Sequence, residues 1–397
     1  MNKTFHVCDV RAVWVRECAS ALSRQVATVG WLPHISTLGY FRHKSWSEDS
    51  ADPVLSLRHF PLQRGFARTG LDPLFQESSR IIRRLNERTD NGAGSCMICT
   101  APAYTPSAEK WPGLLIYYVT DAFAYPGYTK DPTGVIRLDR RMCNRADFVF
   151  PNSRRIADYL IRDAHCPEEK IAILPNATRA ANILPAPLFK PVEAPADISD
   201  MPRPIAGVIG NLAANMDWEI LHNAVERTPW LSWVFVGPTE MPVQDENQRR
   251  CRTLLMNRGG RVRFTGFKLY SQLCSYARAF DVAVLPYRRC EPTYSGSATR
   301  FYEHLAACRP ILATRGVEEL LHKEPLLCLI DSANEMVRAL EELAASGFRD
   351  GREALRWETS HQETWEARAA TMLRVSGQSA TGSQLRAFED VLVPSAG

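Results

Sequence analysis

Between positions 294 and 314 the chain runs Tyr294-Ser295-Gly296-Ser297-Ala298-Thr299-Arg300-Phe301-Tyr302-Glu303 and then His304 to Thr314. Ser295, Gly296 and Ser297 supply a flexible turn and a hydroxyl cap for the helix that the following residues predict, leaving its first backbone N–H groups open. Such a helix start binds anions, and Arg300 in the first turn adds a planar cationic fork suited to a diphosphate. Glu303 follows Arg300 by three positions and shares its face. A carboxylate there accepts hydrogen bonds from the vicinal hydroxyls of a ribose. The same spacing also fits a plain surface ion pair worth about a few tenths of a kcal/mol, and the residues alone leave both readings open.

The segment needs a strand before and after it, and the pattern supplies both, at Asp281–Pro286 and Pro310–Ala313. Short β-branched or aromatic runs recur elsewhere, at 114–120, 147–150, 171–174, 205–209, 233–236 and 262–265, alternating with longer helical patterns. That alternation predicts an α/β protein with parallel sheets covered by helices on both faces. Six prolines in the stretch 183–204 prevent regular structure and read as a semi-rigid linker. The expected organisation is a Rossmann-like domain over 1–182, the linker over 183–204, and a second Rossmann-like domain over 205–352. A helix over 353–376 then packs across the two, and a Ser-, Gly- and Ala-rich tail follows over 377–397. Trp357 and Trp365, eight positions apart, are expected on one face of that helix. Two doubly wound domains facing each other leave a cleft lined by the carboxyl ends of both sheets, where open α/β sheets bind ligands.

The 397 residues, 45% hydrophobic and 23% charged, exclude a disordered or fibrous chain. The net charge of +4 is far below that of a dedicated nucleic-acid binder, and no nucleic-acid partner is expected. Residues 1–180 hold 24 basic and 18 acidic side chains against 24 and 26 in the remainder. The first domain is therefore the one to meet an anionic acceptor or a membrane surface. Eleven cysteines without paired spacing imply a reducing cytoplasm, and Cys96 and Cys99 read as part of a buried strand rather than a metal site. The opening residues are too polar for a signal peptide, and no apolar run is long enough to span a bilayer. Membrane contact, if made, is peripheral, on the inner face of the plasma membrane, through the basic and aromatic stretch 58–68 and the helix expected at 80–85.

The segment around Arg300 resembles the donor-site helix of two-domain GT-B glycosyltransferases, in particular the family 4-like group. Ser297, Arg300, Glu303, Ala306, Pro310, Ala313 and Thr314 occupy positions of that group's pattern. The stretch from Ile205 through Gly210 and Asn211, Asp217 to Leu221, and Trp233 to Pro238 is similar to the opening of the donor domain. Val262 to Phe267, with Gly266, is similar to the strand and loop beside the nucleotide base. The run Ala146 to Ser153 with Ile173 to Asn176 resembles the end of the acceptor domain. The resemblance implies a transferase that binds a nucleoside-diphosphate sugar, UDP first, through Gly210, Asn211, Gly266, Tyr294, Ser295, Gly296, Ser297, Arg300 and Glu303. It departs where the group carries a second Glu, eight positions before Glu303; here that position is Ser295, with Glu291 four residues further back.

Transfer to a hydroxyl needs a general base. Asp121 ends the run 114–120 and opens a loop, and its position resembles the Tyr-x-x-x-Asp segment of several such transferases, including the glucuronosyltransferase of xanthan assembly. It is the candidate base; a capping role in the loop is the plain alternative. Asp9 and Arg11, where the first strand turns into a helix, are candidates for binding the acceptor, a carbohydrate or a lipid-linked sugar. There is no DxD motif to hold a metal on the diphosphate, and the GxGxxG and GxxxxGK[ST] signatures are absent. No metal and no cofactor beyond the nucleotide-sugar co-substrate is expected. Two other readings share this fold: a sugar-nucleotide epimerase, and a catalytically silent protein that binds a sugar nucleotide or recruits partners.

Overall fold

A computed structural model describes residues 4–34, 55–61, 95–125, 128–291 and 293–377. The chain divides into two compact units, Met1–Pro175 with Trp365–Gly397, and Asn176–Thr364.

The first unit carries β1 (Thr4–Cys8), α1 (Val13–Ser23), β2 (Thr28–His34), β3 (Ser56–Pro61), β4 (Ser95–Cys99), the short α2 (Thr105–Ala108), β5 (Leu114–Val119), α3 (Pro132–Arg145), β6 (Phe148–Pro151) and α4 (Arg154–Arg162). Its six strands pair in parallel in the order β3-β2-β1-β4-β5-β6. The order reverses between β1 and β4, which is the arrangement of a doubly wound sheet. Cys96 and Cys99 are buried in β4, as the apolar run around them implies. None of the eleven cysteines forms a disulfide.

The second unit repeats the plan with β7 (Ile205–Ile209), α5 (Trp218–Arg227), β8 (Ser232–Val236), α6 (Glu246–Met256), β9 (Val262–Phe264), α7 (Tyr270–Ala279), β10 (Val282–Leu285), α8 (Thr299–Ala306), β11 (Ile311–Thr314), β12 (Cys328–Ile330), α9 (Ala333–Ala345) and α10 (Glu353–Gln362). Its strands are parallel in the order β12-β11-β10-β7-β8-β9, reversing between β7 and β10. Alternate residues feed opposite faces. Ala206, Val208, Trp233 and Phe235 join one cluster, and Ile205, Ile209, Val234 and Val236 join another that contains Phe280. Gly207 is required here: a Cβ would lie 1.9 Å from the Phe280 ring.

Five helices start on a side-chain cap, as the sequence permits. Asp131, Ser153, Asp217, Asp245 and Ser332 each accept the N–H of the third residue on. α1, α8 and α10 start without one, at Ala12, Ala298 and Arg352.

Four expectations are corrected. Residues 171–174 form no strand, and Ile171 makes an isolated bridge to Val149; the Ala172 and Leu174 N–H groups donate to the Val149 and Pro151 carbonyls at 3.0 and 2.8 Å, and the pairing goes no further because β6 itself ends at Pro151. The helical stretch over 353–376 is two helices, because the chain leaves α-geometry at Glu363 and Thr364, where the Glu363 carbonyl accepts the Thr178 N–H at 3.1 Å. After this break α11 (Trp365–Gly377) packs on α1 within the first unit, with Arg24 bound to Glu366 at 2.6 Å. Trp357 and Trp365 therefore do not share a helix: Trp357 donates to the Leu184 carbonyl at 2.7 Å, and Trp365 is buried in the other unit. The proline-rich stretch 183–204 lies within the second unit, preceded by a 3-10 turn at Ala180–Asn182 and containing another at Ala196–Ile198.

No helix among the described residues is long and apolar enough to cross a membrane. Residues 62–68, the helix expected at 80–85 and the tail after Gly377 lie outside the described residues. Gly207→Ala should destabilise the protein by about 1–3 kcal/mol through overpacking against Phe280; an unchanged denaturation midpoint would count against this packing.

Candidate functional site

In a parallel sheet every strand ends at the same edge, and at the β7/β10 switch the turns that leave that edge diverge. The loop after β7 meets the loop after β10 directly: Met216 bridges Tyr287, Asp217 N–H donates to the Pro286 carbonyl at 2.7 Å, and Arg288 N–H to the Asn215 carbonyl at 2.8 Å. On the other side, Gly210 N–H donates to the Val236 carbonyl and Gly237 N–H to the Gly266 carbonyl, both at 3.0 Å. A Cβ at Gly237 would stand 1.7 Å from the Gly210 oxygen, so the two loops touch through backbone. Gly266 has φ +71° with open space around it. Asn211 is exposed at this edge.

The segment from 293 to 303 leaves the same edge after β10. Thr293–Ser295 is a 3-10 turn, and the Tyr294 ring carries the Arg289 guanidinium at 4.6 Å. Ser295 is buried and donates to Glu291 Oε2, so a carboxylate four residues back stands beside the position where the family pattern has its own. The cap expected of Ser297 is not formed. Its hydroxyl accepts the Asn176 N–H at 3.0 Å, and the Asn176 amide donates to the Ser297 carbonyl at 2.9 Å and Thr299 Oγ1 at 2.8 Å. The helix start is held by a distant carboxylate: Glu319 accepts the Ala298 N–H at 2.8 Å on Oε2 and the Tyr302 hydroxyl on Oε1, with Lys323 at 3.9 Å. A negative group at a helix N-terminus is favourable.

Arg300 and Glu303 stand close on α8 without forming the surface ion pair that spacing also allowed. Glu303 is 1% exposed; its Oε1 accepts the Tyr270 hydroxyl and its Oε2 the Asn182 amide at 3.2 Å. The Arg300 guanidinium lies 5.7 Å from the Tyr270 ring centre, and that of Arg179 lies 5.0 Å from it. Nη1 of Arg300 is buried with no hydrogen-bond partner. The Arg300 charge is felt across the turn: burial raises the Tyr287 phenol to about 12, and Arg300 opposes that rise. His304, one turn on, is fully buried beside Phe280 and pushed down to about 3 by burial and by Arg300, so it packs as a neutral ring.

In the first unit Asp121 follows β5 and accepts the Tyr128 hydroxyl at 2.9 Å and that of Thr120 at 3.3 Å. Burial pushes its carboxyl up to about 6, against these two hydrogen bonds. Asp9, at φ +70°, and Arg11 bind each other: Arg11 Nε donates to Oδ1 at 2.6 Å and Nη2 to Oδ2. The buried Tyr104 hydroxyl nearby has no partner.

Tyr270, Asn182 and Glu319 were not singled out in the sequence, and Asn176 only as the end of the stretch that resembles the close of an acceptor domain. Asn176 and Asn182 each bind residues 121 positions away, and no local pattern announces such a pairing. The paired acids at 318 and 319 just after β11 were the one available signal for Glu319.

No protein-family model and no curated protein sequence matches the chain. Solved structures match it along nearly its whole length. The Anabaena protein HepE in complex with UDP and glucose aligns with a TM-score of 0.66 at 14% identity, over 96% of this chain and 100% of its own. A glycosyltransferase from Rickettsia africae aligns with 0.67 at 12%, over 94% and 98%. A Listeria monocytogenes protein assigned as a UDP-N-acetylglucosamine 2-epimerase aligns with 0.57 at 10%, over 96% and 98%. Two six-stranded doubly wound parallel sheets of this order, matched over almost the full chain, define the class: the chain has the GT-B fold. At these identities the likeness is one of fold.

Glu319→Ala leaves the Ala298 N–H and the Tyr302 hydroxyl without this acceptor and should cost about 1–3 kcal/mol. Chemical denaturation measures it, and Glu319→Gln, which keeps an acceptor oxygen, should recover part of the loss.

Proposed function

We propose that the chain is a glycosyltransferase that moves a sugar from a nucleoside diphosphate, UDP first, to a carbohydrate or lipid-linked acceptor. The observation that carries this reading is the buried, unpartnered Nη1 of Arg300 beside the buried Glu303 carboxylate, at the switch-point edge of the second unit. An unpaired buried guanidinium nitrogen is costly unless an anion completes it. A diphosphate does so, while Glu303 takes the ribose hydroxyls. The likeness in fold to HepE bound to UDP supports the nucleotide. Arg300 then meets the charge of the leaving diphosphate as a fixed cation, and no metal is invoked.

The first unit takes the acceptor, with Asp9 and Arg11 near it and Asp121 as base. A carboxyl raised to about 6 is a stronger base than an ordinary aspartate and still ionised at neutral pH. Because the base works deprotonated, kcat/KM should rise with pH through about 6 and level off above it. A pH–rate profile with no such limb removes Asp121 from the role.

Substitution separates the two halves. Glu303→Ala should weaken UDP binding by about 1–3 kcal/mol, read by calorimetry. Asp121→Ala should leave UDP binding intact and lower turnover by about 10²–10⁴. A second reading, an epimerase acting on the UDP-sugar alone, is favoured by the likeness to the Listeria protein. NMR of UDP-N-acetylglucosamine incubated without acceptor decides: a new epimer supports epimerisation, and an unchanged spectrum supports transfer.

A further inference from the structure

In this structure Tyr270 answers both groups assigned to the nucleotide. Its hydroxyl donates to Glu303 Oε1, where a ribose hydroxyl is placed, and its ring face receives the Arg300 guanidinium at 5.7 Å, where a phosphate charge is placed. The Arg179 guanidinium shares the ring at 5.0 Å. With Asn182 on the other carboxylate oxygen, Glu303 is 1% exposed. A ribose hydroxyl therefore reaches Oε1 only when the Tyr270 side chain moves. Tyr270 is the first residue of α7, half-buried, and follows a loop in which Phe267 and Leu269 are exposed.

We infer that Tyr270 is a latch that takes on Glu303 and Arg300 the place a nucleotide would take, and sets the selectivity of that site for ribonucleoside diphosphates. The inference rests on the donor reading above. A ligand offering only phosphate leaves the phenol on Glu303, and one offering only the hydroxyls leaves Arg300 against the ring. A ligand with both displaces the side chain and satisfies carboxylate and guanidinium together. No bond is made or broken covalently.

The test compares wild type with Tyr270→Phe by calorimetry, using UDP and 2′,3′-dideoxyuridine diphosphate as probes. Phenylalanine keeps the ring and removes the hydroxyl that a ribose has to displace. UDP should bind Tyr270→Phe more tightly, by about threefold to tenfold, the size of one net hydrogen bond. The dideoxy nucleotide should bind both proteins alike. A UDP affinity that is equal or weaker in Tyr270→Phe, or an equal change for both nucleotides, overturns the latch while leaving the donor reading standing. Absence of binding by either protein to UDP, GDP, ADP, CMP and dTDP overturns the donor reading and the latch with it.

Discussion

Parallel pairing is the constraint from which the rest of each unit follows. A strand that runs parallel to its neighbour must return through a crossover, so all carboxyl ends of a sheet collect at one edge. The turns at that edge are freed from pairing and carry the polar residues. In the second unit the order β12-β11-β10-β7-β8-β9 makes the turns after β7 and β10 part company. The segment 293–303 and the glycine-lined loops at 210, 237 and 266 start from that edge.

Around this edge the protein spends polar groups where a packed core would use apolar ones. Glu303 is buried with hydrogen bonds from Tyr270 and Asn182, Asn176 ties down Ser297 and Thr299, and Glu319 occupies the uncapped start of α8. A buried polar network fully satisfied is rigid and specific, and one left short at a single atom stores a demand for a partner. Arg300 Nη1 is one such atom. The first unit shows a different balance: Asp9 and Arg11 neutralise each other, while Asp121 is lifted towards neutrality by burial and steadied by two hydroxyls.

The chain's own residues determined much of this through local physics. Hydrophobic runs of strand length fixed most of the sheet strands, and apolar continuity marked them as buried on both faces, hence parallel. Asp and Ser at helix starts fixed five caps. Arg300 and Glu303 were legible as a pair because a helical spacing of three is itself a statement about direction. Tertiary structure decided what spacing leaves open. Ser297 is a cap by type, yet its hydroxyl serves Asn176, and a carboxylate from beyond β11 holds the helix instead. The helical pattern over 353–376 runs on, but a backbone bond between Glu363 and Thr178 accompanies a break that sends its two halves to different units. Arg300 and Glu303 do not join as a surface pair because Tyr270 stands with both. That arrangement follows from a residue 33 positions away brought alongside by packing, and no reading along the chain contains it, since local sequence encodes direction and burial but not which distant side chain completes a buried charge.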